Sequence, residues 1–123
     1  MKVKIEDDEV LTLIDGLNSE FYSIVYGVLE LIYAADPTLQ IGLKGKRITL
    51  TKNDNWSKWI FGLTVMSRVI NFEINKGALV PDPTNLLQGT HKTLRFVHLK
   101  DLAQLKKMQG ALVPIIQAAL QLT

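Results

Sequence analysis

Cysteine is absent from this chain of 123 residues. That single absence removes disulfides, thiolate zinc sites, iron–sulfur ligation and cysteine nucleophiles together. Histidine occurs only at positions 91 and 98, seven apart, a poor transition-metal set without cysteine beside it. No nucleophile elbow, phosphate-binding glycine loop or HExxH spacing occurs, so the chain reads as non-enzymatic. No apolar run approaches the roughly 20 residues that a membrane-spanning helix needs. The stretch MKVKIEDDEV lacks an apolar signal core and turns acidic by its sixth residue, which points to the cytoplasm.

What is present fits one domain over residues 1–123, long enough to bury a core without a disulfide or metal. The net charge of +2 conceals two opposed segments. Residues 1–36 set Lys2 and Lys4 against eight acids, a net of −6, and residues 37–123 set twelve Lys and Arg against four acids, a net of +8. Such a dipolar surface steers partners and leaves the fold undetermined. Its simplest source is an acidic helical layer on a basic sheet.

Hydrophobic spacing supplies the elements. A short helix is predicted from about Asp7 to Asp15, capped by Asp7 or Asp8 and stopped by Gly16. A longer one runs from Ser19 to about Ala35, with Phe21, Ile24, Val25, Val28, Leu29 and Ile32 at helical spacing. Asp36-Pro37 ends it, because the residue before proline avoids helical backbone angles. Period-two alternation then marks strands over Lys46–Lys52, Lys58–Val65 and Arg68–Ile74, with a turn near Met66-Ser67. A fourth is predicted over Thr93–Leu99. Trp59 alternates onto the apolar side, whereas Thr49, Thr51, Asn71 and Glu73 alternate outward toward solvent. The C-terminal stretch is helical from about Lys100, and Gly110 with Pro114 predicts a break after Gln109. The order of helices, strands and a last helix predicts an α+β fold: an antiparallel sheet with helices packed on one face.

Between the last two strands lies a shaped connection bearing Gly77, Pro81, Asp82, Pro83 and Gly89, followed by Lys92 and Arg95. The run Gly77–Pro83, then Leu86–Thr90, then Lys92 and Arg95 resembles the signature of the YdhG-like domain family, small bacterial proteins of largely unknown function. The resemblance implies a frataxin-like sandwich, and for one branch of the family an intracellular iron chaperone. The stretch Leu39–Lys52 departs from the family pattern, lacking its acidic residue and its aromatic–Gly–x–Pro run.

Three binding chemistries follow. Glu6, Asp8 and Glu9 are candidate ligands for a labile ferrous ion, since carboxylates suit such ions; as acids at a helix start they also serve its cap and dipole. Lys44, Lys46, Arg47, Lys52 and Lys58, interleaved with Trp56 and Trp59, are candidates for anion or nucleic-acid binding. Lys92 and Arg95 form a separate candidate anion site. The outward sheet face is the candidate surface for a protein partner.

Overall fold

Asp7 accepts a hydrogen bond from the Val10 amide at 2.9 Å and so caps helix α1, Asp8–Asp15, whose buried side is Val10 and Ile14. Asn18 caps helix α2, Ser19–Ala35, in the same way through the Phe21 amide at 2.8 Å. These caps satisfy amide groups that a helix start leaves without partners. The structure, a computed structural model, describes residues 3–123; Met1 and Lys2, and with Lys2 one charge of the acidic segment, lie outside the described residues.

Five strands follow in a single antiparallel sheet with neighbours in chain order: β1 Gln40–Lys44, β2 Arg47–Thr51, β3 Phe61–Val65, β4 Ile70–Ile74 and β5 Arg95–Leu99. The sheet thus has one strand more than the alternation predicted. Strand β1 pairs with β2 through a two-residue turn, and Gly45 at its first position has φ +63°, a conformation glycine takes without steric penalty. In register, Ile48, Leu63, Phe72 and Val97 cross the sheet on one face, beside Leu50, Phe61 and Ile74. These residues and the buried sides of all three helices form one core cluster. Phe61 and Phe72 are fully buried with ring centroids 6.0 Å apart, and each contributes about 1.5–3 kcal/mol through burial.

The last helix, α3, runs unbroken from Leu102 to Gln121 through Pro114, where a break after Gln109 was expected. Pro114 is exposed, and the carbonyl that loses its partner belongs to exposed Gly110, one turn earlier, on the solvent side of the helix. Leu112, Ile115, Ile116 and Ala119 are buried on either side of the proline and hold both halves to the core. Tertiary burial therefore overrides a local breaker. A Cβ added at Gly110 would meet nothing within 4 Å. Gly110→Ala is expected to stabilise the protein by about 1 kcal/mol, read as a shift in urea midpoint.

Asp36 joins the helical layer to the sheet. Its carboxylate accepts from the Thr38 hydroxyl at 2.6 Å and amide at 2.9 Å, and pairs with Lys52 at 3.1 Å. The Thr38 hydroxyl bond leads, with the Thr38 amide and Lys52 adding to it, and together they hold this carboxyl below its ordinary range despite partial burial. A lowered folded value means stability present above the unfolded value and lost as pH falls through the folded one. Asp36→Asn is expected to narrow the difference between urea midpoints near neutrality and in acid. An unchanged difference would show that Asp36 does not link pH to folding.

Candidate functional site

The face of the sheet opposite the helices is covered by the chain's own side chains. In register across it lie Arg47, Thr64, Asn71 and His98, and beside them Thr49, Gly62, Glu73 and Phe96. Arg47 lies flat over Gly62, where an added Cβ would come 2.5 Å from its Cδ. Its guanidinium reaches Glu73 in a two-pronged pair, Nε to Oε1 at 3.1 Å and Nη2 to Oε2 at 3.4 Å. The Thr64 hydroxyl donates to Oε1 at 3.1 Å, so the buried carboxylate has three donors. The fork geometry matches arginine to a carboxylate as lysine cannot.

Two tryptophans extend this layer. After β2, the Thr51 hydroxyl donates to the Asn55 carbonyl at 2.8 Å, and the chain turns through Asn53 and Asp54, both with left-handed φ. A short 3-10 turn, Trp56–Lys58, follows. Trp56 then lies against Gly42, with Lys44 Nζ 4.3 Å from its ring centroid. Trp59 lies against Arg47, whose Cζ is 4.2 Å from its ring. A cation over an indole face is attracted by the ring quadrupole. On β5, Phe96 and His98 stack with centroids 4.9 Å apart. The Asn71 Oδ1 atom is buried in this face without a hydrogen-bond partner.

Several expectations change here. Thr49, Thr51 and Glu73 are buried, not presented to solvent, because Arg47 and the loop after β2 cover the face. Trp59 precedes β3 and stacks on Arg47, so it is not a residue of the inner core. Of the basic–aromatic set, the fold brings Lys44, Arg47, Trp56 and Trp59 together. Lys46 and Lys58 are exposed, and Lys52 is taken up by Asp36. The signal that could have found this arrangement was Gly42 and Gly62, each at a position that alternates onto the outer face.

The other candidates are placed as follows. Glu6 pairs with Lys4 at 3.8 Å on the open surface. Asp8 and Glu9 are exposed in the first turn of α1, beside a shallow depression that reaches Leu43. Among the described residues no three His, Asp or Glu side chains group closely enough to hold a metal ion. Arg95 donates to the carbonyls of His91 at 2.6 Å and Leu94 at 2.7 Å, so its guanidinium pins the connection; Lys92 is exposed. Asp82 accepts from the amides of Leu86 and Leu87 at 2.9 and 2.8 Å, between exposed Pro81 and Pro83. Gly77 admits Arg95, whose Cβ would lie 2.6 Å from an added Cβ, and Gly89, at φ +122°, packs against Phe96. The segment is a brace: Gln88 and Phe96 exchange backbone hydrogen bonds of 2.8 and 2.9 Å along the edge of β5.

Compared with protein-family models, with curated proteins and with solved structures, the chain matches none.

Removing Arg47 leaves the Glu73 carboxylate buried without its charge partner. Arg47→Met is expected to destabilise by about 3 kcal/mol, the lower end for a broken buried pair because the arginine is a third exposed. Adding Glu73→Leu should restore most of that loss. Urea denaturation of both variants checks the cycle, and a double variant no better than the single would show that the pair is not coupled.

Proposed function

We propose that this protein is a cytoplasmic, non-enzymatic binding module that takes single-stranded nucleic acid on the outer sheet face. The observation that carries the reading is the pairing of lysine with indole: Lys44 stands over Trp56 on the same face that holds Arg47 and Trp59. Lysine neutralises phosphate, and an indole accepts a base of any sequence by stacking. Exposed Lys46, at the tip of the β1–β2 turn, and exposed Lys58, after Trp56, extend the positive charge on either side. Arg47, committed to Glu73, holds Trp59 in place and is not a phosphate ligand in this scheme.

The ferrous-chaperone function implied by the YdhG-like resemblance draws less support. It needs carboxylates that converge, whereas Glu6 faces Lys4 and the exposed Asp8 and Glu9 belong to a capped helix start. Kinship with the frataxin-like fold rests on the element order and the 77–99 segment, and belongs to the same proposal.

Fluorescence anisotropy of a labelled single-stranded oligonucleotide tests the reading. Binding should tighten as salt falls. Trp56→Ala should weaken it about 5- to 150-fold, the range for loss of one base stack. Lys44→Glu with Lys46→Glu should flatten the salt dependence. No binding at low salt would end the proposal.

A further inference from the structure

The loop after β2, Lys76 just beyond β4 and the C-terminal end of α3 line a cavity of about 660 Å³. Its apolar lining comes from Trp59, Ile60, Ala119 and Leu122, and its cations from Lys52, Lys58 and Lys76. We infer that this cavity is a second binding site, for a small organic anion with an apolar body and one acidic head group.

The volume lies within the range of small-molecule sites, which are apolar with a few polar groups that orient the ligand. Leu122, the C-cap of α3, is 39% exposed and lines this cavity. An apolar body would cover it. Lys52 is already neutralised by Asp36, but Lys58 and Lys76 have no ion-pair partner among the described residues. The one acidic side chain of the cavity wall, Asp54, accepts from the Gln40 amide at 3.2 Å, and Thr123 completes the lining beside Leu122. Two unpaired ammonium groups beside an apolar surface favour a ligand that carries negative charge on an apolar body. With no arginine in the lining, the site selects charge and not the planar fork geometry of one particular head group, so carboxylate, sulfonate and phosphate monoester share the chemistry.

The wall is set before any ligand arrives. The Gln40 side chain accepts from the Asp54 amide at 2.6 Å while donating to its carboxylate. The Asn75 amide group donates to the Trp59 carbonyl at 2.8 Å, and the Asn75 backbone amide to the Ile60 carbonyl at 3.1 Å, which ties the loop to the residue before Lys76. Asn53 and Asp54, at φ 55° and 54°, are consecutive left-handed residues other than glycine, a costly backbone that surrounding bonds must maintain. A wall held in this way loses little further freedom on binding.

The cavity shares Lys58 and Trp59 with the margin of the proposed nucleic-acid face, so its test rests on Lys76 and Leu122, which belong to the cavity alone, with Trp56 as the control for the face. The probe is 1-anilinonaphthalene-8-sulfonate, an apolar ring system with one acidic group, titrated into the folded protein and followed by its fluorescence. Lys76→Glu and Leu122→Asp, both at exposed positions, are each expected to weaken binding at least tenfold, with Trp56→Ala unchanged. Displacement by decanoate or phenyl phosphate, but not by decanol or inorganic phosphate, is the expected pattern, and comparison of the first two separates carboxylate from phosphate as the preferred head. Circular dichroism confirms that each variant is folded, and Lys76→Gln replaces Lys76→Glu if the latter is not. Binding that survives loss of the Lys76 charge, or displacement by inorganic phosphate as effective as by decanoate, would overturn the inference.

Discussion

A sheet with helices on one side only must keep its other face from becoming an open apolar surface. Here a buried ion pair meets that constraint. Arg47 on β2 spans Gly62 on β3 to reach Glu73 on β4, so one interaction ties three strands across the helix-free face. Its worth depends on the carboxylate being fully satisfied, since an unpaired buried charge is costly. The Thr64 hydroxyl completes the set, and the Trp59 ring screens the guanidinium from water. With the pair in place, Thr49 and Thr51 are buried beneath a polar and aromatic layer without helices above them.

The same layer explains where binding chemistry can reside. Side chains with both apolar area and charge cover the face, so it is neither greasy enough to aggregate nor fully hydrated. Trp56 and Lys44 form the part of it that is not committed to an internal ion pair. The long connection from Asn75 to Leu94 serves differently: Asp82 organises its turn, Arg95 fastens its end, and Gln88 pairs along β5. That pairing covers the backbone of an edge strand, which is otherwise a template for association.

Much of the architecture was legible along the chain. The spacing of Ile24, Val25, Val28, Leu29 and Ile32 specified α2 from Ser19, and Asp36-Pro37 ended it; its Asn18 cap emerged only in the structure. Alternation located β2, β3 and β4. Strand β1 escaped because Gln40–Lys44 is short and carries a glycine mid-strand, which reads as loop. That glycine lets the Trp56 ring approach closely, a contact 14 residues distant in sequence. Pro114 misled for a related reason: propensity is local, whereas the burial of Leu112 and Ile115 that overrides it is not. Of the candidate sites, the basic and aromatic residue types were visible, but the distinction between free and committed cations was not. Arg95 and Lys52 look like Lys44 in a sequence, and only their carbonyl and carboxylate partners set them apart.

By itself, the sequence determined the α+β class, the helix starts and stops, and the apolar face of each central strand, because caps and periodicities act over a few residues. The tertiary structure decided the fifth strand, the unbroken last helix, the Arg47–Glu73 bridge and the cavity beside Lys76. Each of these depends on which distant residues meet in the folded chain, and neither periodicity nor propensity encodes that meeting.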